Sequence, residues 1–205
     1  MNVAIIGRGS VGTSLGRALG RAGHQVVFGV RDPMAGVPGE RGIAEAVARA
    51  DATILAVPFK AVAEVIGSAG NLTGKVLIDA TNPLGMVGGG LGLTLGYSES
   101  GAEHVASLAP GAHVFKAFNQ TGFENMADAR GYASRPVMFV AGDDARGKEM
   151  VVRLVSDAGF DALDLGGLRQ ARLLEPLAMI WIELARKRGH GPDISFVIQH
   201  RKSTS

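Results

Sequence analysis

Three glycines near the start of the chain have the spacing of a turn that binds dinucleotides. Gly7, Gly9 and Gly12 form a G-x-G-x-x-G run between an apolar segment, Asn2 to Ile6, and a segment of helical periodicity, Ser10 to Ala22. The run alone is weak evidence for a nucleotide site, but between a strand and a helix it is typical of nucleotide-binding folds. Gly7 would permit the tight turn, Gly9 the approach of a pyrophosphate, and Gly12 close helix packing. The free N–H groups at the helix start would bind the phosphates.

The end of the next predicted strand indicates which nucleotide binds. An NAD enzyme usually has Asp or Glu there, which binds the ribose 2′-OH, whereas this chain has Val30 followed by Arg31. An arginine can pair with a 2′-phosphate, and Arg8 in the glycine turn is a second cation within reach. Asp32 leaves an alternative open, because its carboxylate could neutralise Arg31 or bind the ribose of NAD. We interpret the pattern as an NADP(H) site.

The composition excludes several classes of protein. The 205 residues include no cysteine, which excludes disulfides, thiolate nucleophiles and cysteine metal sites. The net charge of +2 is too small to indicate a nucleic-acid partner. The first strand begins almost at Met1, which leaves no room for a signal peptide, and no apolar stretch is long enough to span a membrane. We expect a cytoplasmic protein with no bound metal.

The rest of the chain alternates between strand and helix patterns. Such alternation predicts an α/β fold of the Rossmann type, with a doubly wound, mainly parallel sheet and a small C-terminal helical or strand extension. We expect an NADP-binding domain over residues 1–165 and a C-terminal helix and tail over 166–205. The expected helices cover residues 40–50, 59–69 and 145–158, and the later strands cover 52–57, 75–79, 113–118, 137–141 and 162–164.

Two segments depart from the alternation. Residues 84–96 are too rich in glycine for a helix, and we expect a lid or binding loop there, with passive disorder as the alternative. Residues 171–188 predict a helix that is apolar on most sides. Such a helix is typical of a subunit interface, so we predict a homodimer; the alternative is a helix folded over its own sheet.

The ends of the predicted strands should form the ligand site. In an open α/β sheet, ligands bind beyond the carboxyl ends of the strands. Val57-Pro58 would lie along the dinucleotide, while Thr81 and Asn82 could hydrogen-bond the nicotinamide ribose or carboxamide. Lys116 and Asn119 flank the end of the 113–118 strand. The alternative for Lys116 is a strand-end charge that extends into water.

The usual catalytic groups of dehydrogenases are missing. Tyr97 and Tyr132 lack a lysine four residues later, no metal-ligand cluster is present, and the histidines fit surface or packing positions. The extension after residue 165 is too short to be a second core around a substrate. If the second substrate is a planar redox ring, positioning two rings face to face can supply most of the rate. A carbonyl substrate would need a placed acid.

With these residues in view, the chain resembles the NADPH-dependent deazaflavin (coenzyme F-420) reductases, an NADP oxidoreductase-like family. The cytosolic domains of six-transmembrane metalloreductases are similar through the Asp-Ala-Thr-Asn and Lys-Ala-Phe-Asn segments. The resemblance implies a dimer that passes hydride between nicotinamide and a flavin-like ring bound near Asn82, Asn119 and Thr121. Val30 replaces a serine typical of the family, and Phe59 replaces a tryptophan common in it. The matching segments are residues 7–12, 30–31, 79–84, 115–119, 141–144 and 171–177.

The leading hypothesis is therefore an NADP(H)-dependent oxidoreductase whose small-molecule redox substrate is a deazaflavin or flavin-like ring. Asn119 and Lys116 are the candidate catalytic residues. One alternative is a reductase of a small imine or carbonyl, with Lys116 or a water held by Asn119 as proton donor. Another is a non-catalytic dimer that senses NADP. The candidate residues for binding NADP(H) are Gly7, Arg8, Gly9, Ser10, Val11, Gly12, Val30, Arg31, Val57, Pro58, Thr81, Asn82, Pro83 and Thr121.

Overall fold

A computed structural model describes residues 1–34 and 37–201, which fold around an eight-stranded sheet. The strands of the chain are β1 Asn2–Ile6, β2 Gln25–Val30, β3 Glu40–Gly42, β4 Ala52–Leu55, β5 Val76–Asp79, β6 Leu84–Val87, β7 Gly90–Leu93, β8 His113–Lys116, β9 Val137–Gly142 and β10 Asp161–Asp164. The order in the large sheet is β10-β9-β8-β5-β4-β1-β2-β3, and β6 and β7 pair separately. Neighbouring strands of the large sheet are parallel except β8 and β9. The predicted mainly parallel sheet is confirmed.

Helices cover both faces of the sheet, as the doubly wound fold requires. They are α1 Ser10–Arg21, α2 Ile43–Arg49, α3 Val62–Ser68, α4 Gly101–Leu108, α5 Phe123–Ala127, α6 Ala145–Asp157 and α7 Ala171–Ile182, and a π-helical turn, Glu183–Lys187, follows α7. Ile5 packs with Leu15 of α1 and Val151 of α6, whereas its neighbour Ile6 packs with Val47 of α2 on the opposite face. Both faces are apolar because successive side chains of a strand point to opposite sides.

Two predicted segments have a different structure. The predicted 40–50 helix begins only at Ile43, because Glu40–Gly42 pairs with the edge of β2 as the short strand β3. The predicted 84–96 loop contains a β-hairpin, β6–β7, and its turn is Gly88-Gly89. Both turn glycines have positive φ, 59° and 84°, which is the conformation that tight hairpin turns need. Glycine content therefore indicated a hairpin turn rather than an irregular loop.

The C-terminal extension packs against the Rossmann domain. Leu168 and Ala171 belong to the apolar cluster beneath α2, α3 and α4. One face of α7 is buried through residues such as Trp181, whereas Leu173 and Ile180 on the same helix are 60% and 53% exposed. The Trp181 Nε1 donates a hydrogen bond of 2.9 Å to the carbonyl of Ile194, which attaches the C-terminal tail to α7. Within the described ranges, no helix has the length and apolar character needed to cross a membrane.

Candidate functional site

The glycine turn after β1 is shaped by close backbone contacts. Gly7 has a φ of +105°, and a Cβ added there would lie 2.4 Å from the carbonyl oxygen of Ala56. A Cβ on Gly12 would lie 2.1 Å from the carbonyl oxygen of Gly7. A Cβ on Gly9 would meet no described atom within 4 Å. Packing therefore requires glycine at the first and third positions, while the space beside Gly9 is open.

The N-terminus of α1 is open to an anion. Gly9 is its N-cap, none of the described side chains caps it, and its first turn holds no acidic residue. By contrast, Ser100 and Glu103 form a capping box at the start of α4, and Asp144 caps α6. Uncapped N–H groups and the positive end of the helix dipole together attract negatively charged groups such as phosphate.

A groove of 350 Å³ runs from the start of α1 past the carboxyl ends of β4 and β5. We call it the inner groove. It brings together predicted residues from three separate strand ends, and none of the eleven described residues that line it has an ionisable side chain. The lining residues are Gly9, Ser10, Val11, Ala56, Val57, Pro58, Phe59, Ala80, Thr81, Asn82 and Leu84.

Thr81, which lines the inner groove, has an unpaired polar atom. The residue is 4% exposed, and its Oγ1 has no hydrogen-bond partner among the described residues. Its backbone N–H, by contrast, donates to Oδ1 of Asp79 at 2.9 Å. Buried hydroxyl groups in proteins are nearly always hydrogen-bonded. The Thr81 hydroxyl is therefore a buried polar group in the wall of the groove for which the described residues supply no partner.

A second cavity, of 230 Å³, lies beside the end of β2, and we call it the outer cavity. Its lining includes five of the residues predicted to bind NADP(H), namely Gly7, Val30, Arg31, Val57 and Pro58. The guanidinium of Arg31 forms an ion pair there, but its partner is Glu64 of α3, with Nη1 and Oε1 3.1 Å apart.

Arg8, the other predicted cation, is also paired. Its guanidinium donates to Oε1 of Glu40, whose side chain is only 5% exposed and whose other oxygen accepts the N–H of Met34 at 3.2 Å. Sequence reasoning missed both glutamates, which lie 32 and 33 residues from their arginines. The strand order could have placed the glutamates near the arginines, because Glu40 lies on β3, which adjoins β2, and Glu64 lies on α3, which follows the end of β4.

Lys116 lies in a buried charge cluster. Its side chain is 0% exposed, and Nζ lies 2.8 Å from Oδ2 of Asp79 and 2.7 Å from Oε1 of Glu175. Nζ donates hydrogen bonds to Oδ2 of Asp79 and to the carbonyl of Thr81, the latter at 2.7 Å. The ammonium is thus held between two carboxylates and a backbone carbonyl. The alternative that Lys116 extends into water is wrong, because Asp79 and Glu175 hold the charge inside the protein.

Glu175 joins α7 to the rest of the site. Its two carboxylate oxygens accept the backbone N–H groups of Gly101 and Ala102 at 2.9 and 3.2 Å, so it caps the start of α4. Arg172, one turn earlier in α7, binds Glu103 through two hydrogen bonds of 2.8 and 2.7 Å. These bonds hold the pKa of Glu103 below its ordinary value. Sequence analysis did not identify Glu175, whose role depends on contacts distant along the chain.

The two candidate asparagines are bonded to each other. Nδ2 of Asn119 donates to Oδ1 of Asn82 at 3.0 Å, and Nδ2 of Asn82 donates to the carbonyl of Asn119 at 2.9 Å. Asn82 lines the inner groove, whereas Asn119 is 3% exposed. Phe118 beside it is buried and has a φ of +60°, an uncommon conformation for a non-glycine residue that often occurs at functional sites. Asn119 is thus hydrogen-bonded to a residue of the groove wall.

The remaining predicted residues lie outside the lining of both cavities. Oγ1 of Thr121 accepts a hydrogen bond of 2.9 Å from Asn125, which also binds the C-terminal tail through the carbonyl of Ile194. Pro83 is buried between the groove and α4, where its Cδ would lie 3.2 Å from a Cβ on Gly101. The structure therefore brings the N-terminal and strand-end residues together but places Thr121 near the tail.

A third cavity, of 380 Å³, opens at the amino ends of β1 and β2, with Asn2 and Gln25 in its wall. Its arginines, Arg41 and Arg49, both lie 3.4 Å from Glu45. Ligands of open α/β sheets bind at the opposite edge, where the strands end. The inner groove and the outer cavity, which share Val57 and Pro58, therefore form the candidate site.

Comparison with known proteins identifies relatives of this chain. Residues 2–83 match the family model described as NADP oxidoreductase coenzyme F420-dependent. The F420-dependent NADP reductase of Methanothermobacter marburgensis is 30% identical over 207 residues, covering 90% of this chain and 92% of that protein. The metalloreductase STEAP3 of Rattus norvegicus is 31% identical over 183 residues, but this chain spans only 36% of its length.

A solved structure extends the agreement to the whole fold. The crystal structure of a candidate F420-dependent NADP reductase from Arthrobacter sp. FB24 superimposes with a TM-score of 0.87 and 30% identity, over 98% of this chain and 100% of that one. Sequence identity, coverage and fold thus lead to one assignment. The chain belongs to the coenzyme F420-dependent NADP oxidoreductase family.

Proposed function

We propose that this oxidoreductase binds NADP(H) across the outer cavity and the inner groove and moves hydride between the nicotinamide and a deazaflavin or flavin-like ring. The observation that carries the proposal is the inner groove, whose described lining holds an unpaired hydroxyl but no ionisable side chain. In the reaction, two electrons leave the dihydronicotinamide as hydride, and the acceptor ring also takes one proton from water. The protein's part is to hold two rings in contact.

The residues present fit the phosphates of such a cofactor. The open N-terminus of α1 offers the N–H groups of Ser10 and Val11 to a pyrophosphate, and the clear space beside Gly9 permits its approach. Arg31 in the outer cavity would hold the 2′-phosphate, with Arg8 as the second cation. Val57 and Pro58, which line both cavities, would pass beneath the middle of the dinucleotide.

At the nicotinamide end, Thr81 and Asn82 would orient the ring. The Thr81 hydroxyl needs a partner, and a nicotinamide carboxamide or ribose hydroxyl would supply one. Asn82 is kept in place by Asn119, which is in turn fixed to α7 through the carbonyl of Leu174 at 3.1 Å. Asn119 and Lys116 are therefore proposed as positioning residues for the groove.

The same observations weigh against the alternative of an imine or carbonyl reductase. In the form of that reaction that uses Lys116 as proton donor, the ammonium would have to leave its hydrogen bonds to Asp79 and Thr81 and its ion pair with Glu175. These contacts do not bear on the form that uses a water held by Asn119. An NADP-sensing dimer would bind the nucleotide as well but would not oxidise it. Steady-state turnover of NADPH with free flavins and a deazaflavin tests the proposal. Turnover with any of these ring acceptors supports the proposal. Tight NADPH binding with no turnover of any of them would favour the sensor.

Thr81→Val is expected to have opposite effects on the free and the bound protein. Valine has nearly the same shape, and the lost hydroxyl has no partner in the free structure, so thermal stability should stay level or rise slightly. Nicotinamide binding should weaken by about 5- to 10-fold, because one hydrogen bond contributes about 1 kcal/mol. Thermal unfolding and calorimetric titration with NADPH measure the two effects. A clear loss of stability with unchanged binding would mean that the hydroxyl serves the fold.

The homodimer also remains a proposal. It is supported by the exposure of Leu173 and Ile180 on α7, together with Met86 of the β6–β7 hairpin, which is 75% exposed. Large apolar side chains grouped at a surface are typical of an interface. Light scattering after size-exclusion chromatography should give twice the 21.2 kDa chain mass, and Leu173→Glu with Ile180→Glu should halve it. A monomer at micromolar concentration would contradict the proposal.

A further inference from the structure

The guanidinium proposed for the 2′-phosphate already holds a carboxylate of the same chain. Arg31 and Glu64 are 3.1 Å apart, and both line the outer cavity. Glu64 lies in the first turn of α3, where its charge also favours the helix. A phosphate that binds Arg31 must therefore displace Glu64 or bind beside it.

The two arginine–glutamate pairs of the site differ in how easily they can separate. Glu40, the partner of Arg8, has a side chain that is 5% exposed and accepts a second hydrogen bond from Met34. Separating that pair would leave a buried charge without its partner, which is costly. The side chains of Arg31 and Glu64 are 72% and 59% exposed, and such a surface pair is weak. Arg31 is thus the arginine whose carboxylate can be exchanged for a phosphate.

The charge balance of the outer cavity makes Glu64 sensitive to the nucleotide. Among the described residues that line this cavity, Arg31 supplies the positive charge and Glu64 the negative one. A 2′-phosphate brings close to two negative charges beside that carboxylate, whereas the ribose hydroxyl of NADH brings none. Removing the carboxylate would therefore favour the phosphorylated nucleotide and change little for the other.

We propose that Glu64 is a specificity-determining residue, which occupies Arg31 in the free protein and opposes the 2′-phosphate, so that it lowers the preference for NADPH over NADH. The proposal rests on the proposed function, since it requires that Arg31 bind the phosphate. It adds a residue that acts against this binding. The preference of the wild-type protein is then set by the Arg31–Glu64 pair together, rather than by the arginine alone.

The test is the dissociation constant of each nucleotide for Glu64→Gln, measured by calorimetry at low and at high ionic strength. NADPH should bind about 3- to 10-fold more tightly, because the variant loses both the competing ion pair and the repulsion between like charges. NADH binding should change less than about twofold. The gain should shrink as salt screens the charges. Because Glu64 is exposed, the variant should fold normally.

The controls distinguish the proposed role of Glu64 from the proposed 2′-phosphate site on which it rests. Glu183→Gln makes the same charge change and breaks surface pairs with Lys187 and Arg188 near the C-terminus, and it should leave both constants unchanged. If Arg31→Ala weakens NADPH binding while Glu64→Gln has no effect, the role of Glu64 is refuted and the NADP site stands. If Arg31→Ala has no effect either, the 2′-phosphate site itself is refuted.

Discussion

Replacement of Arg31 by alanine is expected to weaken NADPH binding by about 10- to 150-fold, because a hydrogen bond to a charged group contributes about 1.5–3 kcal/mol. The side chain lines the outer cavity, and its surface partner Glu64 is weakly held. NADH lacks the phosphate, so its dissociation constant should change less than about threefold. Calorimetric titration of both nucleotides measures the difference. The loss should also diminish at high salt.

A matched variant distinguishes this contact from a general effect of charge. Arg153→Ala on α6 removes a similarly exposed guanidinium, 74% exposed against 72% for Arg31, and should leave both nucleotides unaffected. Equal losses for NADPH and NADH in Arg31→Ala would mean that the residue supports the cavity wall. A change of less than twofold for NADPH would contradict the 2′-phosphate contact.

The second large effect concerns stability. Lys116→Met is expected to destabilise the protein by about 3–5 kcal/mol, because it leaves the carboxylates of Asp79 and Glu175 buried without their shared cation. Urea unfolding at neutral pH measures the change. Lys148→Met is the control: its partner Asp164 is 51% exposed, so the cost should stay below about 1 kcal/mol. A loss of unfolding free energy below about 1 kcal/mol for Lys116→Met as well would contradict the buried cluster.

The same variant tests the role of Lys116 in the reaction. Turnover measured on the folded protein at low temperature should stay within about threefold of the wild type. Lys116 contacts the groove indirectly, through the carbonyl of Thr81 and through Glu175 of α7, so its loss should shift the groove residues little. A general acid normally contributes about 100-fold or more. A loss of that size in a fully folded variant would restore the imine or carbonyl alternative.

Much of the fold could be predicted because its signals are local. The G-x-G-x-x-G run, the apolar strands and the strand–helix alternation each depend on neighbouring residues, and they predicted the sheet and the glycine turn. The differences occurred where pairing between strands decides local structure. Glu40–Gly42 became a strand because the edge of β2 was available, and residues 84–93 became a hairpin because two glycines could adopt positive φ.

The site was predicted only in part for a similar reason. Thr81 and Asn82 stand at a strand end, and that position alone brings them into the groove. The partners that fix the charges, Glu40, Glu64 and Glu175, come from β3, α3 and α7, and no local pattern marks them. From the sequence, Lys116 is a candidate catalytic residue or a charge that extends into water, because its two carboxylate partners are distant in sequence.

The most direct test of the account is isotope transfer from NADPH deuterated at the nicotinamide C4. Each stereochemical form is mixed without oxygen with the protein and either a deazaflavin or a flavin, and both ring and nucleotide are followed by absorbance and mass spectrometry. The account predicts that both forms reduce a ring but that only one form gives up its deuterium, which reaches the carbon of the reduced deazaflavin, or leaves the nicotinamide when a flavin accepts. Bound NADPH that keeps its label while both rings stay oxidised would contradict ring-to-ring hydride transfer.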